Sequence, residues 1–597
     1  MNLNAVSTIT DTNAATLNIT GGSVVLVAGT GGIDTDVNAT VSVSADADGA
    51  AGNTVDLTST AGGLPLAAID TDAGTISLSS AGGITRSSGT ITGTSLSIAA
   101  GGDVGSALGS LSTDVDTFST TTAIAGDLYV SEASALTIGT VASTAGAVVL
   151  DLGGALTDGN AAAVNVTGQS LTITGGNAVT DIETAVSALT LQTAATSITN
   201  TGDVTLMDST VTGQFDLTIG SVLTMEHLNA ASQTVNIGVT GSIADGNAAT
   251  VNITADTVTI TATGDVDDIE TVVANLTIDA DDASINNTGT LELEDSDLGG
   301  QFDLSNDGVT MLNAVTADAV NLTSTGALTD GNGAEANVTA DTLTISGNAA
   351  VDGIETAVGS LTLNTGDASI SNSTALTLRD STLSGSLDLA NLNGDVVVGD
   401  VSVSGTLAIN SGGDILDGNA GTVNITSVLG SSLQSSGTIG SLADAIEVNV
   451  GGTLSVLAGG TDGFLVSANI DGVTANNEVL VQEPTVGLVL LGSPTEAFSA
   501  HIVGGTGAHQ VLGAIGGDLT LFNHHGDWTT LFQFEGTSVD LYSTDSVLRE
   551  IQYGSAGEAP IIEVEDIVTS PVSSLDFDTW LDDRMKAALQ DLATGGK

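Results

Sequence analysis

The sequence predicts an all-β chain: an elongated right-handed parallel β-helix, or β-solenoid, with an atypical C-terminal cap and a short terminal helix. Three observations predict it. Sequence markers recur at one long period. Short runs alternate apolar with polar residues. The apolar residues are mostly small or β-branched, and only 2% of the 597 residues are aromatic.

The markers come first, because self-similarity at a fixed period decides architecture before any motif does. Asp-Gly-Asn occurs at Asp158–Asn160, Asp245–Asn247, Asp330–Asn332 and Asp417–Asn419, a spacing of about 86 residues. Each copy precedes a short strand pattern containing Asn165, Asn252, Asn337 or Asn424. A second marker, Ile-Glu-Thr-x-Val-x-x-Leu, begins at Ile182, Ile269 and Ile354, and a third contains Phe215, Phe302 and Leu387. The units are clearest over 154–425, and the repetitive region extends over 1–460.

Within a unit, runs such as Leu171–Thr174 and Val235–Val239 have the period of two expected of half-buried strands. Gly, Asn, Asp and Ser clusters separate them and supply turns. A strand about every 10 residues gives a coil of roughly 20 and a unit of about four coils. About 28 coils stacked at roughly 4.8 Å would form a rod on the order of 130 Å long. A sandwich is disfavoured, since it needs a fixed strand count and a thick core of large residues. Thr, Ser and Asn are expected to form same-type ladders along the stack.

The second marker reads two ways. Ile182, Val186 and Leu189 have helical i, i+4, i+7 spacing, and they equally suit a bent strand followed by a turn. The bent strand is favoured: a divergent relative at Leu111, Thr113, Val115 and Phe118 is rich in Thr and Asp, which are poor helix formers.

The pattern stops near residue 460. Ten of the 14 aromatics lie beyond it, with four of the five histidines and four of the five prolines. Residues 461–572 read as a divergent, aromatic-containing β terminal region that blocks edge-to-edge growth. Residues 573–597 read as an amphipathic helix. Ser573 and Ser574 open it as caps, and Trp580, Leu581, Met585, Leu589 and Leu592 supply its capping or assembly face. A cap over the solenoid end is the first reading, and an export signal or docking peptide the second.

Six basic residues against 71 acidic ones give a formal net charge of −65. Such a surface repels phosphate backbones and anionic membranes, so nucleic acid is excluded as a partner. No stretch is long and apolar enough to insert into a membrane. Cations are attracted instead. Cysteine is absent, so no disulfide framework exists.

Candidate sites are few. Asp158, Asp245, Asp330 and Asp417 could bind Ca²⁺ through carboxylate, amide and main-chain oxygens, although Asp-Gly-Asn is also a plain turn sequence, the favoured reading. No other cofactor is expected. His524 and His525 beside Asp527 are transition-metal candidates, but adjacent strand residues point to opposite faces. His501, His509, His524 and His525 are the only clustered histidines, and the isolated His227 reads as a surface residue. The Asn-x-Thr sequons at Asn165, Asn252, Asn337 and Asn424 could carry sugars. No catalytic residue is expected: nucleophile elbow, catalytic cysteine and phosphate loop are all missing, and a carboxylate pair among 71 acids has no specificity.

The phrases Gly126–Glu132, Leu136–Gly139 and Ile446–Leu454 resemble the degenerate repeats of filamentous-haemagglutinin-like bacterial surface proteins. The resemblance covers roughly residues 1–490 and rests on repeat texture. It implies a β-helix at the surface of a Gram-negative bacterium or secreted from it, serving adhesion, biofilm or surface coating. The expected role is therefore an extracellular structural or adhesive rod, with a glycan or cell-surface receptor as partner. A homo-oligomer or filament stacking end to end is the alternative, and a polysaccharide-active β-helix enzyme a distant third.

Overall fold

Along each strand, aliphatic side chains alternate inward with small polar ones outward. In the computed structural model, Ser170–Thr174 buries Leu171 and Ile173, and Ala188–Thr193 buries Leu189 and Leu191. The structure describes residues 1–459 apart from 14–15, 30, 48–51, 348 and 442, and beyond them only the backbone of strands between 463 and 564 and the buried Leu465. The described residues form an all-parallel β-solenoid of about 22 turns and contain no helix. The chain divides into two compact units: Met1–Leu291 with Ser296–Gly299, and Glu292–Asp295 with Gly300–Lys597.

In the first unit, like side chains stack in columns. Leu128, Val148, Leu171, Leu189 and Leu206 are successive partners along one ladder. Leu136, Leu156, Val179, Thr196, Phe215, Val235, Val258 and Leu276 form another. Parallel pairing leaves each coil's amide and carbonyl groups to its neighbours, so regular hydrogen bonding requires near-identical coil paths. A ring fits this thin core where its partner is small: Phe215 lies between Thr196 and Val235. The second unit repeats the arrangement, with Phe302, Val320, Leu343 and Leu361 in one column. Leu328, Val351, Ala368, Leu387 and Leu407 form its second.

The Ile-Glu-Thr marker is a bent strand. Val179–Ala185 ends at a corner and Ala188–Thr193 begins the next face. Asn200, fully buried, accepts the Val186 N–H at 2.9 Å and the Thr184 hydroxyl at 2.9 Å, which locks the corner from the coil above. Asn287 and Asn372 do the same for Thr271 with Val273 and for Thr356 with Val358. Each copy bulges just before its Ile, where Asp181, Asp268 and Gly353 have φ of 53°, 50° and 67°. The helical spacing of Ile182 and Val186 is thus coincidental. The bulge brings Ile182 back into register, and the corner at Val186 turns the chain.

One expectation needs correction. The repeat is about four and a half turns long, not four. From Leu156–Asp158 the ladder climbs through Val179, Thr196 and Phe215 to Val235 in four turns. Ile243–Asp245 then follows half a turn later, before the next rung at Val258. It lies on the other ladder, above Leu223 and Val204. The same holds in the second unit. Leu328–Asp330 leads to Leu407 in four turns, and Ile415–Asp417 follows on the ladder of Val396 and Leu376. Coil length varies, which sequence period alone does not reveal. Partners advance by 23 residues from Val148 to Leu171, across an Asp-Gly-Asn loop, but by 18 to Leu189 and 17 to Leu206. Successive Asp-Gly-Asn turns therefore project from alternating faces within each unit, and do not form a ladder of their own.

Candidate functional site

Each Asp-Gly-Asn loop is an outward excursion closed by one buried amide. Leu156 and Val166 pair with Val179 and Thr184, so the lower coil carries five more residues between the same two rungs. The Asp158 carboxylate accepts the Asn160 N–H at 2.7 Å, which turns the chain. Asn165, fully buried, closes the excursion. Its Nδ2 donates to Asp158 Oδ1 at 2.7 Å, to Asn160 Oδ1 at 3.0 Å and to the Ile138 carbonyl of the coil below at 3.1 Å. Its Oδ1 accepts the Glu183 N–H of the coil above at 2.9 Å. One side chain thus ties three coils together.

The staple recurs. Asn252 donates to Met225 O and Asp245 Oδ1 and accepts from Glu270 N. Asn337 joins Leu312 O, Asp330 and Glu355 N, and Asn424 joins Val398 O, Asp417 and Glu447 N. All four asparagines are 0% exposed. Their side-chain nitrogens, the atoms a sugar would join, are enclosed and donating, so the folded sequons are closed to modification.

The plain-turn reading of Asp158, Asp245, Asp330 and Asp417 therefore holds at the backbone, but the loops contain more than a turn. Each staple also holds the N–H of a second acid on the coil above: Glu183, Glu270, Glu355 or Glu447. In every one, Oε2 is buried with no hydrogen-bond donor. Burial raises the Glu270 and Glu355 carboxyls, helped by the charges of Asp245 and Asp330. Burial and then Asp417 push Glu447 up to about 6. The aspartates move the other way where a shift is resolved. The Asn160 N–H holds Asp158 below the usual range, and the Asn337 amide does so for Asp330. At Asp417, burial opposes the donors from Asn419 and Asn424, and the donors win.

A fifth copy lies where the sequence reading did not place one. Asp11 accepts the Asn13 N–H at 2.7 Å and the Asn18 side chain, and Asn18 N donates to the Asp36 carbonyl. Asp36 stands in the glutamate position. It is 5% exposed, its Oδ2 has no donor, and burial followed by the Asp11 charge raises it. A legible signal existed: the second acid follows the first by 25 residues at Asp11/Asp36, Asp158/Glu183, Asp245/Glu270 and Asp330/Glu355. Three of these acids are the Glu of the Ile-Glu-Thr marker.

The arrangement offers acceptors only, with no nucleophile and no basic side chain, and can bind a proton or a hard cation. Among the described residues no three His, Asp or Glu side chains are grouped to hold a metal. His227 is half-buried, and its carbonyl accepts the Ser209 N–H. His501 and His509 lie on strands of separate ladders. His524, His525, Asp527 and the proposed capping helix with Trp580, Leu581, Met585, Leu589 and Leu592 fall outside the described residues. No helix among the described residues is long and apolar enough to cross a membrane. No protein-family model, curated protein or solved structure matches this chain.

Proposed function

We propose that this protein is an extracellular structural or adhesive rod of a bacterial cell surface or biofilm matrix, and that it acts without catalysis. The observation that carries this reading is the division of labour along each strand. Inward positions form continuous aliphatic columns, while outward ones present Thr, Ser, Asn and Asp. Such a stack gains stability from each added coil, because each coil buries its aliphatic positions against its neighbours. The excursions after Asp158, Asp245, Asp330 and Asp417 give it loops to display, and a glycan or receptor on another cell is the partner that suits polar, exposed loops. The acidic surface keeps the shafts apart in solution. The resemblance of the repeats to filamentous-haemagglutinin-like proteins supports the same reading.

A self-assembling filament is the second reading, favoured by coil-on-coil parallel pairing, an interaction that a second copy can extend. Electron microscopy of the purified full chain separates the two. Single rods of constant length support the shaft, and fibres of unlimited length support the filament. Compact round particles would remove both.

A further inference from the structure

We propose that the five turn clusters, Asp11/Asp36, Asp158/Glu183, Asp245/Glu270, Asp330/Glu355 and Asp417/Glu447, each take one Ca²⁺ ion. The inference does not rest on the adhesive reading. Two carboxylates in proximity would not by themselves make a site in a chain with 71 acids. What distinguishes these clusters is oxygen atoms sealed from water with nothing to pair them. At Asp36 the whole side chain is nine-tenths buried beside Asp11, and Oδ2 has no donor. At Asp245 the deficit is double: Glu270 Oε2 and Asn247 Oδ1 are both buried without a donor. The other three copies repeat the unpaired glutamate oxygen. A buried acceptor left unsatisfied is destabilising, so its recurrence in all five copies points to a group that satisfies it.

That group must be positive, compact and able to meet several oxygens at once. A single proton would join one carboxyl to the other and still leave Asn247 Oδ1 unmet. Lys or Arg cannot serve: the described coils hold only Arg86 and Arg379, whose Nε atoms donate to the Gly89 carbonyl and the Ser360 hydroxyl. A hard divalent cation fits a set composed solely of carboxylate, amide and main-chain oxygens. Ca²⁺ is favoured over Mg²⁺ because it accepts irregular, higher coordination, whereas Mg²⁺ demands a near-octahedral shell and sheds water reluctantly. Each cluster supplies two carboxylates, the Asp245 copy adds the unpaired Asn247 Oδ1, and water completes the coordination shell of Ca²⁺.

Calorimetric titration of the chelator-stripped full chain with CaCl₂, at neutral pH and physiological salt, tests this. The expected result is saturable binding with a stoichiometry of five, persisting in excess NaCl and accompanied by a higher melting temperature. Glu270→Gln and Asp36→Asn, in different copies, should each remove one site. Asp279→Asn, on an exposed outward position, should remove none. Circular dichroism confirms that each variant retains its strands, and the second variant stands in if the first fails to fold. Binding that never saturates, vanishes with NaCl or is matched by MgCl₂ overturns the proposal, because that is the diffuse atmosphere of a polyanion. Saturable binding undiminished in a folded Glu270→Gln or Asp36→Asn chain overturns it as well.

Discussion

A single buried amide sets the conformation of each loop. Asn252 occupies a position where donor and acceptor are both required: Nδ2 meets Asp245 and the Met225 carbonyl, and Oδ1 meets the Glu270 N–H. Asp or Gln cannot replace it, since Asp lacks the donor and Gln is too long for an enclosed site. Asn252→Ala should destabilise the surrounding coils by about 2–4 kcal/mol, the combined cost of a lost charge-assisted bond and stranded main-chain partners. Hydrogen exchange at the Glu270 amide should accelerate accordingly. A loss within about 0.5 kcal/mol, typical of a surface position, would show that the staple is ornamental. These asparagines stood in the sequence as members of a strand pattern and as sequons. Their burial was not legible there, because the carbonyl below and the N–H above belong to residues 25–27 and 18–23 positions away.

At the scale of the strand, in-register stacking makes every inward residue part of a column. Leu189 is fully buried between Leu171 and Leu206. Leu189→Ala removes its contacts on both sides and should cost about 2–5 kcal/mol. Because coils communicate chiefly with their neighbours, the loss of exchange protection should be confined to the adjoining coils. Thr190→Ala, next along the strand but outward-facing, should change stability by under about 0.5 kcal/mol. Equal effects of the two would mean that the strand's faces are misassigned. Here the sequence was a good guide. Alternation at period two reports sidedness directly, and the bent-strand reading of Ile182–Leu189 agrees with the structure. The bulge at Asp181 escaped notice, since a positive φ at Asp leaves no compositional trace.

At the scale of the whole molecule, charge dominates. The net −65 opposes compaction at neutral pH, and the clusters add acids whose protons are held more tightly in the folded state. Burial, and then the charges of Asp417 and Asp444, raise Glu447 to about 6 from an ordinary 4.5. Folding therefore takes up a proton between those values. The associated stability is present at low pH and is lost as pH rises through about 6. With divalent cations chelated, the unfolding midpoint should rise as pH falls from 7 towards 5, opposite to the usual acid response. Asp158 and Asp330, held low, do not oppose this until pH falls below the ordinary aspartate range. Glu447→Gln should flatten part of the rise, whereas the relief of general repulsion persists in that variant. A midpoint that falls steadily over this window would contradict the burial assigned to these glutamates.

The sequence by itself determined the coil. Small aliphatic residues at alternate positions, Gly and Asn at the turns and markers recurring every 86 or so residues left a parallel β-solenoid as the economical solution. Only the tertiary structure decided the phase. A repeat of four and a half turns alternates its loops between faces, and that number depends on how far each Asp-Gly-Asn excursion leaves the coil. The same stacking decided which acids meet. Asp245 and Glu270 become neighbours because one coil lies on the next, and proximity across a ladder is fixed by register, which no local pattern encodes.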